Sequence, residues 1–498
     1  MTSPTLAAPA APLEPPRVAQ PATDARAARA FTVFTVLWAC AALFHHAAWP
    51  QRAFGTASLL VTLPALWLLM RPGSVPRLAL LAVGQLAQVW RVGPERVSNH
   101  WAFTTFVNLT ILLALARVLW REHSGRVEKG ALFLDFAPVV RLELLVLYFY
   151  AVLHKLNTDF LDPTLSCAAQ QYGQIAAQFP LLPTAAWAQY SAIYGTLLVE
   201  LAIPVLLVVR RTRLAGVLLA TLFHFVLAVN PEAVFYDFSS MLFAVYFLYL
   251  PHDYWGALRE RWVRSGAGAG VRARVSGRTL RLAAKGVLAL IALAVVAAWL
   301  KGAAPRQAAT VNAAQEGARL AWVVYGGLLI AAFLTVARGT PLLAAVRGLD
   351  SLRPRTAVPA LVLLLLLLNG LSPYLGLKTD NSFSMFSNLR TEGERWNHAI
   401  LPPSMKVAGY QDDLVEIVST SHPYLERIRR AGQRLTYFDL RVRASERPAA
   451  AVTYVRGGRT YVVPRVADDP ELRQAPALRR LFAFRPVDPP GVRTPCRH

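Results

Sequence analysis

Leu361-Val362-Leu363-Leu364-Leu365-Leu366-Leu367-Leu368 is a run of side chains without a single polar atom, inside an apolar stretch over 357–377. About 20 apolar residues in a helix cross the roughly 30 Å hydrocarbon core of a bilayer. A backbone in hydrocarbon must close its hydrogen bonds within itself, and a helix does so. Working outward, further runs of this kind lie near 31–49, 55–70, 76–91, 101–120, 137–154, 187–209, 214–230, 232–250, 280–300 and 319–337. The second and third are the weakest, being short or carrying Gln85 and Gln88. The expected fold is mostly α, a polytopic transmembrane helix bundle of about eleven spans.

Composition agrees. The 498 residues are 55% hydrophobic and 16% charged, whereas soluble chains carry about 25% charged residues. A net charge of +23 suggests nucleic acid at first sight. The arginines, however, sit in loops between apolar runs rather than on one folded face, so the bilayer and not nucleic acid is the expected partner. Residues 1–30 are rich in Pro and Ala and have no apolar core of a cleaved signal, so they read as a disordered segment, with the first span as the insertion signal. Cys40 lies in an apolar run, Cys167 in a loop and Cys496 near the end. This spacing outlines neither a disulfide framework nor a metal site, so no metal is expected.

Cationic loops stay on the cytoplasmic side. Arg210, Arg211 and Arg213, the eight basic residues over 252–285, and the arginines from Arg338 to Arg355 fall together on one side if the N-terminus is cytoplasmic. The 156–186 loop, with Asp159 and Asp162 but no Lys or Arg, then lies outside. The expected organisation is a transmembrane core over 31–250, a basic cytoplasmic loop over 251–279, further spans over 280–377, and an extracytoplasmic β-rich domain over 378–498. Alternation at Leu435, Tyr437 and Val442, and again over 453–462, predicts strands within 405–485. Gly457-Gly458 between two β-rich arms predicts a type I′ hairpin.

Ionisable groups in a membrane are costly and mark sites or internal pairs. On this topology His45 and His46, Asn99 and His100, His154 and Lys155, Asn230 and Asp237, and Asn369, Ser372, Tyr374 and Lys378 all reach the outer ends of helices, with His224 somewhat deeper. Snorkelling anchors explain some of them. Only six of the 52 basic residues are lysines. Arginine would anchor as well as Lys155, but only lysine can lose its proton and act as a base. Two acids, Glu143 and Glu200, lie inside spans; Glu143 is expected to meet Arg141 or another helix, and Glu200 needs a partner or a proton.

His154-Lys155-Leu156-Asn157-Thr158-Asp159-Phe160-Leu161 resembles the Lys-Leu-Asp/Asn-x-Asp-Trp/Phe segment of the vitamin K-dependent γ-glutamyl carboxylases and of the wider horizontally transferred transmembrane (HTTM) family of bacterial proteins. Asn99-His100 resembles the family's Asn-His pair, and Leu222–Met241 its Phe-His segment. Asn369–Lys378 followed by Ser382–Leu389 is similar to the bacterial members, and the resemblance extends over 30–460. It implies a cell-membrane enzyme that uses a reduced, vitamin K-like quinone to oxygenate or carboxylate, with a peptide or protein substrate on the extracytoplasmic side. Lys155 would be the base toward the quinol, His100 would stabilise the oxyanion, and Asn99 would stand beside it. His154, His224, Asp237, Glu200 and Tyr374 would form the quinone pocket. The opposing expectation is a non-catalytic scaffold, binding or transport protein that keeps the same fold.

Overall fold

The computed structural model describes residues 21–49, 56–122, 127–230, 234–251, 254, 256, 258, 308–337, 352–489, 491–493 and 496. Twelve helices precede the C-terminal domain among them: α1 (Pro21–Ala48), α2 (Thr56–Met70), α3 (Val75–Val92), α4 (Asn99–Glu122), α5 (Lys129–Leu153), the single turn α6 (Thr158–Leu161), α7 (Cys167–Gln178), α8 (Ala186–Val208), α9 (Arg213–Ala228), α10 (Tyr236–Phe247), α11 (Ala308–Ala337) and α12 (Ala357–Leu371). Five of these, α1, α4, α5, α8 and α11, contain a stretch long and apolar enough to cross a membrane. α2, α9 and α12 are apolar but shorter. Eleven spans therefore exceed what these helices support, and the span expected at 280–300 lies outside the described residues. α1 begins at Pro21, so the second part of the segment read as disordered is helical.

α10 occupies the centre. Its residues from Tyr236 to Phe247 are buried apart from Phe238, which is half-buried. A helix covered on every side needs no polar face, which explains its lack of amphipathic pattern. α1, α9 and α11 pack around it, and α1 also meets α2 and α5. The glutamines that weakened the third run have partners. Trp38 Nε1 donates to Asn108 (3.1 Å), Asn108 donates to Gln85 (2.8 Å), and Gln88 reaches His46 and Ser58. Glu143 accepts from Thr110 of α4, while Arg141 Nε donates to the Leu248 carbonyl (2.6 Å).

Beyond α12 the chain crosses the ends of the helices and forms an antiparallel sheet, in the order β2-β1-β3-β4, from β1 (Leu414–Thr420), β2 (Arg434–Thr436), β3 (Val452–Arg456) and β4 (Arg459–Val463). The hairpin is present. Arg456 pairs with Arg459, and Gly457 and Gly458 have φ of 54° and 74°, as a type I′ turn demands at both positions. The strand expected through Tyr437 and Val442 stops at Thr436. Its side chain accepts from the Asp439 N–H and starts α14 (Tyr437–Ser445), the partner of α13 (Pro423–Arg430) in covering the sheet. An N-cap threonine ends the extended run because its oxygen satisfies a helix donor that a strand would not present.

Asp439 also carries a charge penalty. Burial pushes its carboxyl up to about 6, with Arg443, 3.8 Å away, and Arg96 offsetting only part of that. The folded group keeps its proton where the unfolded chain has lost it, so this contribution to stability falls as pH rises from the ordinary aspartate range through about 6. Asp439→Asn is expected to raise the thermal midpoint of the detergent-solubilised protein at neutral pH, with the gain fading by about pH 4. A midpoint difference that does not change with pH would contradict this account.

A lysine–glutamate pair on the wall of an aromatic cavity

Leu153 ends α5, and Lys155 turns back along it, so that Nζ donates to the Ala151 carbonyl (3.1 Å). Nζ then lies 3.0 Å from Glu200 Oε1 and 2.8 Å from Oε2, from the middle of α8. The Lys-Leu-Asn-x-Asp-Phe segment explains itself locally. Asn157 caps α6 by accepting from Phe160 N–H (2.8 Å) and donates to the carbonyls of His154 (2.7 Å) and Ser387 (2.6 Å). Asp159 receives Arg493 (2.9 Å). The Phe160 ring lies 5.9 Å from Lys155 Nζ, within reach of a cation–π contact.

Lys155, Glu200 and His224 share a cavity of about 770 Å³, counting its open mouth, between α5, α8, α9 and α10. Phe160, Phe223, Phe235, Phe238 and Phe386 supply aromatic walls. His224 Nε2 lies 3.1 Å from the Tyr148 hydroxyl, which in turn meets Tyr246 (2.5 Å), while His224 Nδ1 is buried with no hydrogen-bond partner. Met385 and Phe386 come from the Ser382–Leu389 segment, and as cavity residues they escaped the sequence reading. Phe386 has φ 54° and packs 4.8 Å from Phe235.

The other expected site residues lie elsewhere. His154 is buried behind Lys155, with Nε2 3.1 Å from the Gly370 carbonyl and its ring 5.5 Å from that of Tyr374. Neither lines the cavity. Asn99 Oδ1 accepts from Phe383 N–H (2.7 Å), holding the segment after α12 on the start of α4. His100 and Asp237 join His45 on the wall of a second, much smaller cavity. Phe238 separates the two, its ring 5.9 Å from His100 and 5.4 Å from His224.

One covalent link was not legible in the cysteine spacing. Cys167, at the start of α7, is disulfide-bonded to Cys496 across 329 residues of sequence, and so ties the end of the chain beside the cavity.

A helical membrane protein with an ion pair in an aromatic cavity, roofed by a small sheet domain, is the class that fold and site define. Residues 133–253 match the family model of the HTTM domain. The matched region holds Lys155, Glu200, His224 and Asp237, while His45 and His100 precede it. Neither the curated proteins nor the solved structures give a match.

Removing one member of a buried ion pair strands the other. Glu200→Leu is therefore expected to destabilise the solubilised protein by about 3–5 kcal/mol, and the double variant Lys155→Met/Glu200→Leu to recover most of that loss. Thermal midpoints of the two single variants and the double variant test this. Additive losses would show that the pair does not act as a unit.

Proposed function

We propose that the chain is a membrane enzyme of quinol-dependent oxygenase or carboxylase type, with Lys155 as its base. The observation that carries this reading is the placement of a lysine, with a carboxylate 2.8 Å away, in an aromatic-walled cavity. The residues present suit a reduced quinone. Phenylalanine rings accept a flat apolar ring system, and the unpartnered His224 Nδ1 offers a hydrogen bond to one of its oxygens. Bound there, such a quinone supplies an acidic hydroxyl and, with dioxygen, oxidising capacity.

The chain's own part is to move a proton. Lys155 must be neutral to act as a base, and Glu200 is placed to hold the proton it gives up. The pair then passes between a charged and a neutral form with no change in net charge, which keeps the cost of the step low in a low-dielectric site. Phe238 and the Tyr148–Tyr246 pair hold the His224 ring in place. His100 and Asn99 stand outside this cavity, so the proton chemistry rests on Lys155, Glu200 and His224. Peptidyl glutamate as the acceptor, and a peptide or protein partner on the outer side, follow from the resemblance to the carboxylases alone.

A non-catalytic HTTM-domain protein is the second reading. One observation favours it: Lys155 and Glu200 neutralise each other and clamp α5 to α8, which is sufficient reason for both. The two readings part at Lys155→Arg, which keeps the charge but not the base. With a reduced short-chain naphthoquinone as probe, the enzyme reading expects quinol-dependent oxygen uptake by membranes to fall on the order of 100-fold or more. Equal uptake with both proteins, or none with wild type, leaves the clamp.

We also infer a cytoplasmic N-terminus and an extracytoplasmic sheet domain in the cell membrane. The arginine-rich loops support this, and so does the Cys167–Cys496 disulfide, because such bonds persist in oxidising compartments. In Cys167→Ser, the freed Cys496 thiol should react with a membrane-impermeant maleimide on intact cells. Labelling that appears only after lysis would reverse the orientation.

A further inference from the structure

We propose that His45, His100 and Asp237 bind a divalent first-row transition metal. The three residues come from the end of α1, the start of α4 and the start of α10, all at the end of the bundle that faces the sheet domain. His100 Nε2 lies 3.0 Å from Asp237 Oδ2, His45 Nδ1 lies 3.4 Å from the same oxygen, and the two nitrogens are 3.3 Å apart. Ligand atoms about 2.1 Å from a tetrahedral ion are about 3.4 Å from one another. A cation just off the plane of this near-equilateral triangle therefore reaches all three at bonding distance.

Hydrogen bonds alone account for the triangle less well. With sides so similar, both nitrogens approach one oxygen at about 60° to each other, whereas the lone pairs of a carboxylate oxygen point roughly twice as far apart. In the tautomers that leave His45 Nδ1 and His100 Nε2 without a proton, three lone-pair atoms converge on one point, which a cation resolves. The carboxylate is also held for the task. Asp237 Oδ1 accepts from Phe238 N–H (2.6 Å), turning Oδ2 to the histidines, and Trp49 Nε1 lies 3.4 Å from Oδ2. An outer partner that orients a ligand in this way is characteristic of metal sites.

The adjoining cavity, bounded by Trp38, Gln85, Trp101 and Thr104, admits at most a water-sized further ligand. Two imidazoles and one carboxylate with an open position suit zinc or ferrous iron rather than calcium or magnesium, which prefer all-oxygen shells. No sequence spacing announced this set, because its members are separated by 55 and 137 residues and meet only when α1, α4 and α10 pack. The inference does not depend on the quinol reading, since Phe238 walls these residues off from the Lys155 cavity and the readout is bound metal.

The test uses the full chain in detergent, purified without a histidine tag, stripped with a chelator and titrated with cobalt(II). Wild type should take up about one cobalt per chain, with the visible ligand-field bands of a tetrahedral or five-coordinate site. Asp237→Asn should weaken binding by more than the roughly 10–100-fold that follows loss of a mere outer partner. His45→Cys, which keeps a ligand in place, should bind cobalt with a new thiolate-to-metal charge-transfer band. Absence of bands in folded wild type, or a folded His45→Cys that binds without the new band, overturns the proposal and leaves a hydrogen-bonded triad.

Discussion

A carboxylate in the middle of α8 has lipid-facing neighbours, for Leu198, Leu201 and Val205 on the same helix are each more than half exposed in the isolated chain. An unpaired charge at such depth costs several kcal/mol, so Glu200 stays ionised only with a cation in reach. Among the described residues that cation is Lys155, and the requirement sets much of the local architecture. The lysine must end α5 at the right height, which the turn at Leu153–Lys155 and the Asn157 cap accomplish. The cavity lies beside the pair, lined from α5 by Leu147, Tyr148 and Ala151 and from α8 by Thr196.

The second constraint is hydrogen-bond closure at the helix ends. In water, loops between spans would be solvated. Here the chain over 378–399 takes the place of solvent. Asn381 donates to the Pro94 carbonyl, Asn388 bonds the Leu165 carbonyl and the Cys167 N–H, and Ala399 N–H reaches the Leu156 carbonyl. Following these partners in sequence forces Asn381, Phe383, Phe386 and Asn388 to positive φ. For phenylalanine that conformation costs of order 1–3 kcal/mol, and it persists only where the surroundings over-determine it. The return is specific: Phe383 packs on Phe103 and Phe106, and Phe386 closes a wall of the cavity.

Helix positions were legible because hydrophobic content is a local property. The described helices fall close to the apolar runs, and Gln85 and Gln88 were visible as anomalies before Asn108 and His46 explained them. Counting spans asks for more, since α2, α9 and α12 are apolar yet short of a full crossing. Pairings were not legible. Lys155 finds Glu200 across 45 residues and Cys167 finds Cys496 across 329, distances at which spacing carries no information. Gathering the polar groups at one end of the bundle was within reach of topology, but their division into two cavities depends on helix rotation. In the C-terminal sheet domain, a Thr-x-x-Asp cap at Thr436 and Asp439 was present in the sequence and outranked the period-two pattern around it.

That division turns on two adjacent residues. Successive side chains on a helix point about 100° apart, so Asp237 and Phe238 face different neighbours although they share a peptide bond. Asp237 joins His45 and His100, while the Phe238 ring stands between His100 and His224. A helix free to rotate would let the two sets of polar groups mix. α10 is enclosed nearly all round and so keeps its azimuth, because turning it would drag Tyr246 from Tyr148 and Ser239 from the His224 carbonyl. The central helix thus acts as a fixed partition, keeping the Lys155–Glu200 pair and the two-histidine, one-aspartate cluster close enough for their charges to be felt and too well separated for their side chains to mix.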